Sequence, residues 1–267
     1  MAIQKIKVRD GAEIACEVRG YTKASPPIVL VHSLAMDHTF WEPVASLLTG
    51  TTTVMTYDCR GHGQSDKPEG KYWVEQFATD LADLVDHFGW RSVVVAGASM
   101  GGCVALSYAA AYPDRVAGLG LFDTTAGYNA PAAWEERAVT AETKGLEAMV
   151  EFQTTRWFTD DFCVKHKDVV DAAVAVFLAN PPRAYAQACR MLGAFNIAHA
   201  LPLLKMPARI VVGEEDYATP VTMAEELHRG IARSSLTVIP NARHLTPLEC
   251  PNKIAAQLQA LLVTVSV

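Results

Sequence analysis

Residues 93–102, VVVAGASMGG, limit this chain more than any other stretch. An apolar run, Val93 to Ala96, breaks at Gly97-Ala98-Ser99-Met100-Gly101. A helical stretch follows whose early residues are nearly all small: Gly101, Gly102, Ala105, Ala109 and Ala110. This G-x-S-x-G arrangement predicts a sharp strand-to-helix turn that lifts one hydroxyl above the C-terminal end of a sheet. The glycines have a steric reason, because residues two before and two after the serine face each other where a Cβ would collide. Ser99 is then an exposed nucleophile, and the N–H of Met100 points from a new helix toward a substrate.

Around this turn the chain alternates strands and helices. Two alternating runs, 3–8 and 13–18, flank Asp10-Gly11, a hairpin signal. Pro26-Pro27 leads into Ile28-Val29-Leu30-Val31, an apolar run of the kind buried on both sheet faces. It ends at His32-Ser33-Leu34-Ala35, and Phe40, Trp41, Val44, Leu47 and Leu48 follow at helical spacing. A strand over 53–57 closes on Asp58-Cys59-Arg60-Gly61-His62-Gly63-Gln64-Ser65-Asp66. Val74, Phe77, Leu81, Leu84, Val85 and Phe88 make a one-faced helix stopped by Gly89. A strand over 116–122 follows Pro113. Strands alternating with helices predict a mostly parallel α/β sheet with right-handed crossovers.

From about residue 124 to 202 the rhythm changes to helical periodicity rich in aromatics. We expect a core domain of residues 1–123 and 203–267 and a helical lid of residues 124–202. The alternation resumes with a strand over 208–212, a helix over 221–229, a strand over 235–239 and a last helix opened by Pro251.

Composition excludes several classes. A net charge of −6 over 267 residues gives no basic footprint for nucleic acid. No apolar block approaches a membrane span, and the first residues alternate like a strand rather than a signal peptide, so a cytoplasmic protein is expected. Six cysteines without C-x-x-C spacing read as reduced thiols, and no metal or organic cofactor is expected.

A serine hydroxyl needs a base. His244 follows the strand over 235–239, and Asp216 follows the strand over 208–212; a parallel sheet collects such post-strand loops along one edge. Ser99, Asp216 and His244 are therefore the expected catalytic set. Among eight histidines, His32 is assigned to bracing the loop that carries Leu34, and His62 to a glycine-bracketed turn. Asp123, after the preceding strand, is the rival acid; Asp58 is expected to hydrogen-bond the Arg60–Gly63 turn. The oxyanion needs two N–H donors, and Met100 and Leu34 supply them.

With these residues in place the chain resembles the α/β-hydrolase fold superfamily over nearly its whole length. The order Ser99…Asp216…His244 is that of the superfamily, and residues 58–66 look like its D-x-R-G-x-G-x-S-D turn. A closer resemblance is to the 3-oxoadipate enol-lactonases. It rests on Ser33-Leu34, Thr124-Thr125-Ala126, Arg156-Trp157-Phe158-Thr159 and Pro181-Pro182-Arg183-Ala184-Tyr185. His32 follows the wider superfamily instead, which leaves open a relative acting on another ester or lactone. The resemblance implies hydrolysis of a small ester or lactone through an acyl-enzyme. A lactone bearing a free carboxylate would want a cation, for which Arg156 and Arg190 are the candidates. Trp134 and Trp157 could wall the pocket. Carboxylesterases, C–C bond hydrolases and cofactor-free haloperoxidases share the triad, while dehalogenases need an aspartate where Ser99 stands. A ligand-binding receptor on the same fold is the non-enzymatic alternative. Exposed lid aromatics could pair subunits into a homo-oligomer or only close the pocket.

Overall fold

The computed structural model describes residues 3–20 and 25–265. Met1 and Ala2, which open the alternating N-terminal run, lie outside the described residues. Eight strands form one sheet: β1 (Gln4–Lys7), β2 (Glu13–Arg19), β3 (Ile28–Val31), β4 (Val54–Tyr57), β5 (Val93–Ala98), β6 (Val116–Phe122), β7 (Ala208–Gly213) and β8 (Ser234–Ile239). Their order is β1-β2-β4-β3-β5-β6-β7-β8. The β1–β2 and β2–β4 pairs are antiparallel, and every pair from β4 onward is parallel. The hairpin at Asp10-Gly11 forms as expected, with Gly11 at φ +94°. Strand and helix ends differ from the sequence expectation by a residue or two, where fraying backbone leaves no pattern to read.

Continuous apolar runs go to the middle of the sheet. All residues of β3, β4 and β5 are buried, because helices cover both faces of a parallel sheet. The flanking helices are α1 (Glu42–Leu48), α2 (Val74–His87), α3 (Met100–Ala111), α9 (Val221–Gly230), the short α10 (Thr246–Glu249) and α11 (Pro251–Val265). Helix α1 packs with α11 and α2 with α3. Gly118 and Gly120 of β6 let α11 lie close, since a Cβ at either would come within 3.1–3.2 Å of Leu261 or Leu258.

Between β6 and β7 stand five further helices: α4 (Pro131–Lys144), α5 (Val150–Trp157), α6 (Asp160–Lys165), α7 (Lys167–Leu178) and α8 (Pro182–Ala194). Helices α4 and α8 pack on each other. The two ends of this segment are joined by an isolated bridge between Gly127 and Asn196. No helix among the described residues is long and apolar enough to cross a membrane. All six cysteines are unpaired.

Candidate active site

Ser99 sits between β5 and α3 with φ +53°, a backbone conformation that a non-glycine residue adopts only when its surroundings hold it there. The surroundings are specific. A Cβ on Gly97 would run into the backbone of Gly101, and one on Gly101 into the carbonyl of Val31. Thr124 Oγ1 donates to Ser99 O at 2.7 Å, and Ser99 N donates to Phe122 O at 2.9 Å. The other non-glycine residues with positive φ among the described residues are Ala35, Asp123, Asn129 and Asn241. Each lies in a loop that also carries a site residue, so the strained backbone gathers at one rim of the sheet.

At that rim three side chains form a series. Ser99 Oγ lies 2.9 Å from His244 Nε2, and His244 Nδ1 lies 2.9 Å from Asp216 Oδ2. Asp216 is fully committed: it also accepts from Ala218 N at 2.7 Å, Thr219 N at 2.9 Å and Thr219 Oγ1 at 2.7 Å. Burial pushes its carboxyl upward, but the facing His244 and the donors of Thr219 outweigh this and hold it below the ordinary aspartate value. Met100 opens α3 directly after Ser99, Leu34 lines the same chamber, and neither N–H donates to an acceptor among the described residues.

The rival residues occupy other roles. Asp123 accepts from Gly213 N at 3.0 Å and from Thr246 N and Oγ1 at 3.2 and 2.5 Å. His32 donates from Nδ1 to Ser33 O at 2.7 Å and accepts from Cys59 N at Nε2, 2.9 Å, which pins the Leu34 loop to the turn at 58–66. His62 packs edge-on against His32, 5.0 Å between centroids, and burial drives its pKa down to about 3. Asp58 accepts from Gln64 N at 2.7 Å, as expected for that turn, and also from His38 N and Nδ1.

Ser99 and His244 open into a chamber of only ≈ 40 Å³, walled by Leu34, Tyr128, Trp134, Gln153, Trp157 and two arginines, Arg137 and Arg156. None of its lining residues carries a carboxylate. A second cavity of ≈ 530 Å³ lies beyond, and Tyr128, Trp134, Arg137, Arg156 and Ala218 line both. Those five residues border both spaces. The inner chamber by itself has room for little more than water, and the larger cavity borders it through the five shared residues.

Arg137 was not anticipated from the sequence. Its guanidinium is ringed by Trp134, Tyr185 and Phe152 at 4.9, 5.5 and 5.9 Å, and its Nε donates to Tyr185 Oη at 2.5 Å. Gln153 Nε2 donates to the same oxygen at 3.0 Å. Arg156 packs over Phe152 at 5.0 Å and donates to Tyr217 O at 3.0 Å; burial, then the charge of Arg137, lowers its pKa. The signal for Arg137 was its place three residues after Trp134 on one helix, which puts both side chains on one face. Arg190, expected near substrate, is elsewhere. Its guanidinium is held between Glu135 at 2.9 Å and Glu142 at 2.9 Å, and it lines a separate cavity of ≈ 800 Å³ that contains neither Ser99 nor His244. That larger cavity carries none of the reactive set.

A hydroxyl, an imidazole and a carboxylate in series on the loops after β5, β8 and β7 define the class to which this site belongs, the α/β-hydrolases. The chain belongs to the alpha/beta hydrolase fold family, whose model matches residues 26–251. It is a hydrolase by this membership and by its relatives. It is 31% identical over 245 residues to 3-oxoadipate enol-lactonase 1 of Acinetobacter baylyi, covering 92% of this chain and 91% of that one. The enol-lactonase of Burkholderia xenovorans LB400 superposes with a TM-score of 0.94 at 30% identity, over 97% of this chain and 100% of that one. A thermophilic esterase from Thermogutta terrifontis, determined with malate bound, superposes with a TM-score of 0.93 at 32% identity over 100% of both chains.

Proposed function

We propose that this chain is a serine hydrolase that opens a small lactone bearing a free carboxylate, with 3-oxoadipate enol-lactone as the substrate. The observation that carries this is the pairing of the Ser99–His244–Asp216 series with two arginines in one chamber that has no acidic wall. An anionic group on the substrate would meet Arg137 and Arg156, and its carbonyl would meet Ser99. The likeness to two enol-lactonases supports the lactone, and the Thermogutta esterase, with its bound dicarboxylate, supports a carboxylate ligand.

His244 takes the Ser99 proton as Oγ attacks the carbonyl, and the oxyanion rests on Leu34 N–H and Met100 N–H. The ring C–O bond breaks and its electron pair stays on the enolate oxygen, which tautomerises to a ketone after protonation. The leaving group remains tethered, so one acyl-enzyme carries both halves. Water activated by His244 then releases a keto acid. Asp216 orients the imidazole and stabilises its charged form. Residues 124–202 act as the lid over residues 1–123 and 203–267.

The test is a panel of enol-lactones, simple lactones and p-nitrophenyl esters assayed on the wild type and on Ser99→Ala. The expected result is a preference of at least about tenfold for the carboxylate-bearing enol-lactone over its neutral methyl ester, with turnover abolished in Ser99→Ala. A flat profile overturns the substrate, and turnover retained in Ser99→Ala overturns the nucleophile.

A further inference from the structure

Tyr128 stands in the segment that leaves β6 and enters α4, and the backbone holds it there firmly. Thr125 Oγ1 bonds both the N–H and the carbonyl of Gly127, at 3.1 and 3.0 Å; Ile197 N donates to Ala126 O at 2.7 Å. Trp134 meets the Tyr128 ring edge-on with centroids 4.9 Å apart. So fixed, Tyr128 lines the chamber beside Ser99 and His244, and Ser99 and Cys103 both bear on the pKa of its phenol. Cys103 is a weak partner and is already turned to Thr124 Oγ1 and Thr125 O, at 3.8 and 3.9 Å. Ser99 Oγ, 2.9 Å from His244 Nε2, is the stronger acceptor of the two and lines the same chamber as Tyr128.

Taking Ser99 as the nucleophile proposed above, we propose that Tyr128 is a further catalytic residue. Its phenol donates a hydrogen bond to the ring oxygen of the lactone as that oxygen departs. The attacking and leaving oxygens share one carbon in the tetrahedral intermediate, so a donor set beside the first is within reach of the second. The proton balance is unchanged by it. The Ser99 proton passes to His244 Nε2 and on to the leaving group, the Oγ–C bond forms, and the ring C–O bond breaks. Tyr128 lends a hydrogen bond and keeps its proton throughout. Burial, before any other cause, pushes its pKa well above the usual phenol value, consistent with a donor that does not ionise.

A leaving-group donor matters most when the leaving oxygen is basic. The experiment therefore measures kcat/KM, which reports acylation, for Tyr128→Phe across a series of substituted phenyl acetates. Phenyl acetate should lose about tenfold or more, and p-nitrophenyl acetate, whose leaving group needs little help, should stay within about twofold. A uniform loss across the series, or no loss, overturns the proposal. Replacement of Tyr128 by 3-fluorotyrosine, which keeps the shape and strengthens the donor, should flatten the dependence on leaving group; an unchanged dependence overturns it equally. Failure of the nucleophile itself reads out separately, as hydrolysis of these esters that survives in Ser99→Ala.

Discussion

Thr246 gives both its N–H and its hydroxyl to Asp123, at 3.2 and 2.5 Å, two residues after His244. The other oxygen of Asp123 takes Gly213 N, three residues before Asp216. One buried carboxyl therefore ties the loop of His244 to the loop of Asp216. Asp123→Ala leaves three buried donors unpaired, and each such donor costs about 1–3 kcal/mol. We expect Asp123→Ala to lower the urea midpoint well below that of Asp123→Asn, which keeps an acceptor in place. Equal midpoints for the two variants would remove the bracing role.

The same residue sets a pH dependence. Burial first, and the charge of Asp216 second, push the Asp123 carboxyl well above the ordinary aspartate value of 3.8. The native protein then holds a proton that the unfolded chain has released, so the contribution of Asp123 to stability falls as pH rises above about 4. Asn in its place cannot titrate. The stability gap between wild type and Asp123→Asn, from urea unfolding at a series of pH values, should move against the wild type as pH rises. A gap constant with pH would mean that Asp123 is ionised in the native state.

The reactive set was legible in the sequence because its position depends on chain order. Ser99, Asp216 and His244 each follow a strand, and a parallel sheet brings all such loops to one edge. Leu34 and Met100, which follow β3 and β5, were expected at the same edge for the same reason. The arginines were not. Arg137 lies among charged neighbours, Glu135 and Glu136, so the local sequence reads as a solvated helix face. Only the packing of α4 on α8 surrounds it with Trp134 and Tyr185. Arg190 errs in the opposite direction, since Glu135 and Glu142 share one face of α4 and capture it from across that same helix pair. Which face of a helix between β6 and β7 looks at Ser99 is a tertiary fact with no local signature.

His32 and His244 are both buried histidines in post-strand loops, yet their bonds differ in kind. His244 hydrogen-bonds the side chains of Ser99 and Asp216, while the hydrogen bonds of His32 go only to backbone, at Ser33 and Cys59. His244→Gln should lose about ten-thousandfold or more in kcat, as expected when a general base is removed. His32→Gln should lose far less, about ten- to a hundredfold, by loosening the loop that holds Leu34 N–H. Steady-state kinetics on one lactone decides it. A larger loss in His32→Gln would require reassigning the base.

Arg137, Arg156 and Arg190 form an internal control for carboxylate binding. Arg137→Met should cut kcat/KM for the carboxylate-bearing lactone by about ten- to a hundredfold, the scale of one charge-assisted hydrogen bond. The same variant should hydrolyse p-nitrophenyl acetate near the wild-type rate. Arg190→Met should leave both activities alone and cost only a little stability, since its partly exposed pairs with Glu135 and Glu142 are screened by solvent. Parallel losses on both substrates in Arg137→Met would make that arginine structural.

Arg243 joins the base to the helices above it. Its Nη1 donates to Thr155 O at 2.9 Å, Phe158 O at 2.8 Å and Asp160 Oδ1 at 3.0 Å. On the far side of His244, Leu245 N donates to Trp157 O at 3.1 Å. The residues before and after the imidazole are thus both anchored to the junction of α5 and α6, and Trp157 of that junction walls the chamber. Arg243→Met keeps the aliphatic stem but strands two carbonyls that the guanidinium had satisfied. Hydrogen exchange over residues 155–160 should accelerate, because local opening there no longer has to break those bonds. Activity should fall about tenfold through kcat, as the imidazole loses its fixed aim at Ser99, with KM for the lactone little changed. Exchange that is unaltered while activity falls would place the role of Arg243 in its stacking on Tyr217, 5.2 Å from the ring centroid, instead of in the clamp.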